Sequence, residues 1–186
     1  MTASTPLIGE PLAVDLVNTR PLGADLLASP ALLEDWLTIQ ASRDPDLAVA
    51  APSPADLRAI RAVREHTAAA IDALRHGRRP PESALRGLIA AQNAAPAILR
   101  PAWTGTEITT VRHRTGPAGA RAAAALAEAA AELLADPALR KLRRCAADDC
   151  VLLFVATHPR RQWCSPARCG NRARVARYYQ RHKEHP

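Results

Sequence analysis

Between residues 30 and 95 apolar side chains return every three or four positions, the spacing that gathers them on one side of an α-helix. Leu32, Leu33, Trp36 and Leu37 mark a helix that begins at Ser29-Pro30 and fades near Ala41. Leu57, Ile60, Val63, Thr67, Ile71 and Leu74 mark a longer one, from Ser53-Pro54 to Gly77. A third runs from Glu82 to Ala95 with Leu85, Leu88 and Ile89 inward, and Pro96 closes it. The starts are legible because Ser-Pro offers a capping oxygen followed by a residue with no N–H to leave unpaired. Ser53 with Asp56 adds a capping box.

The period then changes. Trp103, Ile108, Thr109, Thr110 and Val111 are strand formers on either side of a Thr104-Gly105 turn, and they predict a β-hairpin within residues 98–115. Beyond Gly116-Pro117 the alanine-rich run 118–135 predicts a helix packed through small side chains, with Leu126, Leu133 and Leu134 inward and Glu128 and Glu132 outward. Near the N-terminus the apolar stretch Leu12 to Val17 carries a polar cluster, Asp15, Asn18, Thr19 and Arg20. Buried polar groups need partners. One reading makes Asn18 and Thr19 the end of a first helix and pairs Asp15 with Arg20 or Arg64. A sharper one has Asp15, Asn18 and Arg20 line a small-ligand site.

All four cysteines fall in the last part of the chain, as Cys145-x4-Cys150-x13-Cys164-x4-Cys169. Two close pairs at this spacing are the ligand pattern of a structural Zn²⁺, because each pair closes a small loop around the metal. A disulfide framework uses the same residues, so compartment decides. The N-terminal stretch has no basic residue before Arg20 and is broken by Pro6, Pro11 and Pro21, which fits neither a secretory signal nor a membrane span. A cytoplasmic location and reduced thiols are therefore expected, and metal is favoured over disulfides. Oxidant sensing is the other use of such pairs, although neither has C-x-x-C spacing.

Charge sharpens this picture. Residues 140–186 hold 12 Lys+Arg against 3 Asp+Glu, whereas residues 1–139 hold 13 against 15. Positive charge massed on a small metal-stapled unit is the usual electrostatic footprint of a nucleic-acid partner. No phosphate-binding glycine loop, no G-x-S-x-G and no Cys/His couple is present, so catalysis has little support and the chain is not expected to be an enzyme.

The stretch Cys169-Gly170-Asn171-Arg172 reads CGNR, preceded by Arg144-Cys145-Ala146-Ala147-Asp148-Asp149-Cys150 and Arg161-Gln162-Trp163-Cys164-Ser165. It resembles the CGNR zinc finger of bacterial proteins. Leu12-Ala13-Val14-Asp15-Leu16-Val17-Asn18-Thr19 is similar to the opening of the ABATE domain that usually precedes that finger, a domain described as a stress-induced transcription regulator. The resemblance covers nearly the whole chain and implies a regulator.

The expected fold is mainly α: a helical domain with one β-hairpin over residues 1–138, then a small treble-clef-like zinc finger over residues 139–186. Within the finger, Val151 to Ala156 is expected as a strand, Thr157 to Arg160 as a turn and Arg161 to Trp163 as the return strand. Few large apolar side chains accompany them, too few to fold such a unit without staples, and zinc binding of roughly 10–16 kcal/mol supplies the difference. With four thiolates filling the metal, no position remains for an activated water.

A helix begun by Ser165-Pro166 would carry Asn171, Arg174, Arg177 and Arg181 along one stripe facing the DNA major groove, with Val175, Tyr178 and Tyr179 turned toward the hairpin. Arg160 and Arg161, together with Arg140, Lys141, Arg143 and Arg144 before the first cysteine, suit phosphates, and Arg168 joins the nucleic-acid-binding set. Arg172 has two open roles, contacting DNA or bracing the zinc loop by donating to backbone carbonyls. The leading expectation is a DNA-binding transcription regulator; the alternative is a zinc-stabilised module that binds RNA or an acidic protein surface. The first 138 residues would sense a small-molecule effector or pair two copies as a homodimer, and no membrane association is expected.

Overall fold

Residues 8–183 are described by a computed structural model, without the side chains of residues 177 and 180–183. The helices follow the capping signals closely. α1 spans Leu12–Val17 and α2 Pro30–Gln40, where the Ser29 hydroxyl accepts from the Leu32 N–H. α3 spans Pro54–Arg75 with the Ser53/Asp56 capping box complete, and stops where Gly77 takes a φ of 66° that other residues rarely adopt. α4 is Glu82–Ala94 and α5 is Ala118–Ala135.

Helix α5 is the centre. Ala122 to Ala127 are all buried, and α5 packs against α1, α3 and α4 at once. Alanine permits this, because small side chains let several helix axes approach together. Leu16, Leu33, Leu37, Ile60, Ile71, Leu88 and Leu126 complete the core. α4 departs from its expected face: Ala84 and Leu88 are buried, but Leu85 is 37% and Ile89 55% exposed.

The hairpin forms as β1, Ile98–Trp103, antiparallel to β2, Ile108–His113, with Trp103 opposite Ile108. Arg114, at its exit, is buried and ties it down by donating to the Ala95 carbonyl at 2.8 Å and pairing with Glu128 and Asp46.

The C-terminal part differs from the expected order. β3, Leu142–Arg144, precedes the first cysteine pair and is antiparallel to β4, Leu153–Val155, so the strands flank that knuckle instead of following it. Residues 161–163 are not a strand. The Cys145–Cys150 loop is itself the tight turn that folds β4 back onto β3. The Val155 carbonyl that a return strand would have used accepts instead from the Arg161 guanidinium at 3.1 Å.

Helices and finger share one core across the 138/139 boundary expected from composition. Leu142 and Leu153 are buried in the same cluster as α1, α3 and α5. The outer edge of β4 is closed by side chains in place of a third strand. The Asn18 amide donates to the Leu153 carbonyl at 2.9 Å and accepts from its N–H at 2.8 Å; Glu10 accepts from the Val155 N–H at 2.8 Å. Replacing Asn18 by Ala strands two buried backbone groups at about 1–3 kcal/mol each. N18A is expected to lower unfolding free energy by roughly 2–6 kcal/mol in urea titrations, and a loss below about 1 kcal/mol would mean water reaches that edge.

Candidate metal centre

Four sulfurs meet at one point. Cys145 and Cys150 bracket the knuckle between β3 and β4; Cys164 ends the following loop and Cys169 sits in a π-helical turn, Pro166–Gly170, that leads into α6, Asn171–Lys183. Ser165 caps that turn by accepting from the Arg168 N–H. All four cysteines are buried, and their Sγ atoms lie within 4.8 Å of one another. Cys150 and Cys164 are 3.8 Å apart and Cys164 and Cys169 3.5 Å, well beyond a disulfide bond of about 2.05 Å. A tetrahedron of thiolates at about 2.3 Å from Zn²⁺ has edges near 3.8 Å, so the residues present fit the ion.

Electrostatics agree with a cation at the centre. Burial, reinforced by the neighbouring sulfurs, pushes the Cys150 thiol up to about 11 and Cys164 further still. Burial also acts against Cys145, yet the N–H groups of Cys164 and Ala147 hold that thiol below its ordinary value. Four sulfurs in this space resist ionising together, and a divalent ion supplies the missing counter-charge. When bound, zinc crosslinks the knuckle to the root of α6.

The contacts of Arg172 fit bracing, through sulfur and not through carbonyls. Its guanidinium donates to Cys169 Sγ at 3.3 Å and pairs with Asp149 Oδ2 at 2.8 Å, linking the second ligand pair to the loop of the first. Arg161, expected at phosphates, is turned inward. It pairs with Glu10 at 2.6 Å, donates to the carbonyls of Val155, Trp163 and Cys164, and stacks 4.5 Å over the Phe154 ring. That commitment removes it from the expected phosphate-binding set.

Arg160 and Arg168 are exposed near the metal loops, and Asn171 and Arg174 are exposed on α6, where the Asn171 carbonyl oxygen accepts from Arg174 at 3.2 Å. The side chains of Arg177 and Arg181 lie outside the described residues, although both positions are in α6. Val175, Tyr178 and Tyr179 are not buried against the hairpin; they are 52%, 52% and 63% exposed.

The N-terminal polar cluster is divided rather than gathered. Asp15 is fully buried, accepts from the N–H groups of Gly9 and Glu10, and pairs with Arg43 at 2.6 Å, not with Arg20 or Arg64. Burial raises its pKa against the pull of those partners. Arg20 pairs with exposed Glu65. Arg64 holds Asp25 at 2.6 Å and lowers that carboxyl to about 2. Asn18 and Arg20 line a cleft that excludes Asp15. Glu10, which joins Arg43, Val155 and Arg161, was missed by sequence reasoning, because its partners lie up to 151 residues away.

A family model described as "Putative stress-induced transcription regulator", ABATE, matches residues 10–137. The chain belongs to the ABATE family. The model of the CGNR zinc finger matches residues 141–182, so the two follow one another with the four-cysteine cluster inside the second. The cofactor of this ABATE–CGNR chain is structural zinc. Both families are described by regulation or metal binding, not by a reaction. Comparison with curated proteins returns no match. No helix among the described residues is long and apolar enough to cross a membrane.

Groups that hold a metal ligand in place commonly change affinity 10- to 100-fold when removed. Arg172→Ala is therefore expected to weaken zinc binding by about that factor in competition with a chromophoric chelator, while one zinc per chain is still recovered by elemental analysis at saturation. Affinity should also fall as pH falls, because thiolates must shed protons to bind. An unchanged affinity in R172A would reduce the Cys169 contact to incidental proximity.

Proposed function

We propose that this protein is a DNA-binding regulator in which the zinc site fixes α6 as the helix presented to the duplex, with the helices of residues 10–137 as the regulatory part. The observation that carries the reading is the coincidence of charge and mounting. The finger holds 12 Lys+Arg against 3 Asp+Glu, and its last helix leaves the metal cluster with Asn171 and Arg174 exposed. Thirteen residues at about 1.5 Å each make a rod near 20 Å long, which suits a major groove about 12 Å wide. Arg174 and Asn171, with Arg177 and Arg181 further along the same helix, are the candidates for base edges. Arg160 and Arg168 are candidates for phosphates, which set register without reading sequence.

A second reading has one observation in its favour. Tyr178 and Tyr179 stand exposed beside these arginines, with ring centroids 5.8 Å apart. Aromatic rings among arginines suit unpaired bases, so structured RNA with open loops is the competing partner.

Binding to duplex DNA is expected to weaken with salt at a log–log slope near −0.9 per phosphate neutralised. Arg174→Ala should weaken selected sites more than random duplex; an equal loss on both, with a slope shallower by about 1, would reassign it to a phosphate. Absence of saturable duplex binding at low salt, alongside tight binding to looped RNA, would overturn the DNA reading.

A further inference from the structure

A cleft of about 310 Å³ opens where the C-terminal end of α3 meets the first cysteine knuckle. That volume falls at the lower end of small-molecule pockets, roughly 300–1,000 Å³, and seams between units are a usual place for them. Its floor is apolar, formed by Val17, Ile71, Leu152 and Leu153 from three separate stretches of chain. Its charged lining is unequal, four arginines against Glu65 and Asp72.

Which of these charges are already matched decides what the cleft can hold. Glu65 is paired with Arg20 and Arg64, and Asp72 with Arg78 and His76. Arg64 is further committed to Asp25 and Thr19. Two arginines remain. Arg75 is partly buried and has neither an ion pair nor a hydrogen bond among the described residues. Arg144 donates only its Nε, to the Cys150 carbonyl at 3.3 Å, so its terminal nitrogens have no partner among the described residues. Guanidinium groups without counter-ions over an apolar floor match an oxyanion carried on an apolar body, since the planar fork takes a carboxylate or phosphate in two parallel bonds.

We propose that this cleft binds a small amphipathic organic anion, its carboxylate or phosphate held by Arg75 and Arg144 and its apolar part laid on Ile71, Leu152 and Leu153. Such a ligand touches α3 on one side and the zinc knuckle on the other. It favours the arrangement in which the finger is seated on the helices, which makes the cleft an effector site. The inference deepens the regulatory reading above, but its test uses no DNA, so either reading can fail while the other stands.

The test uses the zinc-loaded full chain and three probes followed by amide NMR: 1-naphthoate, neutral 1-naphthalenemethanol and inorganic phosphate. Saturable shifts at Val17, Ile71, Leu152 and Leu153 are expected with 1-naphthoate, much weaker ones with either other probe. Arg75→Ala should weaken 1-naphthoate about 10- to 100-fold, the effect of losing one charge-assisted bond. Arg144→Gln should do likewise with zinc content unchanged, and Arg86→Ala, on α4 and paired with Glu82, should change nothing. Equal binding of the alcohol or of phosphate alone, no saturation by 1-naphthoate in the millimolar range, or unaltered affinity in both cleft variants would each overturn the proposal.

Discussion

The outer edge of β4 is the constraint on which the rest turns. A strand buried on that side must have its N–H and C=O groups satisfied, and no third strand among the described residues does it. Asn18 answers with a carboxamide, which has the donor and acceptor of a peptide unit in one plane and serves both groups of Leu153. Glu10 takes the Val155 N–H, and Arg161 takes the Val155 carbonyl while pairing with Glu10. The same Arg161 reaches the Cys164 carbonyl. A continuous set of bonds thus runs from the first helix to a metal ligand, and the seating of the finger and the shape of its zinc loop are parts of one network.

Arginine does two different jobs here, and net charge alone does not separate them. Arg43, Arg64, Arg114, Arg161 and Arg172 point to acceptors inside the molecule, where a five-donor fork can join several chain segments at once. Arg160, Arg168 and Arg174 stay on the surface. The basic character of the finger therefore splits into a structural share, spent on carbonyls, carboxylates and one cysteine sulfur, and a share exposed on the surface.

Helix ends were readable from the sequence because their causes are local: Ser29 and Ser53 each cap a backbone N–H within three residues. The four-cysteine cluster was readable for a similar reason, since the spacing of each pair dictates a small loop. What lay beyond reach was non-local. Periodicity marked Leu85, Ile89 and Tyr179 as one-sided but carries nothing about whether a partner element covers that side, and in this fold none does among the described residues. The strand partner of β4 was sought after it and lies before the knuckle, because a loop pinned by two cysteines reverses the chain as well as any turn. Asp15 found Arg43, not Arg20 or Arg64, since the turn that follows α2 lies beside α1.

The alanine run of α5 has a consequence for how this scaffold tolerates change. With methyl groups as the contact layer toward three other helices, there is almost no side-chain slack at the middle of the molecule, and enlarging any of these positions pushes an entire helix aside instead of one rotamer. Shrinking them gains nothing, because only glycine is smaller. Sequence drift is thereby steered outward, to the rims, loops and exposed helix faces, where new binding preferences can be tried while the framework that mounts the finger keeps its dimensions.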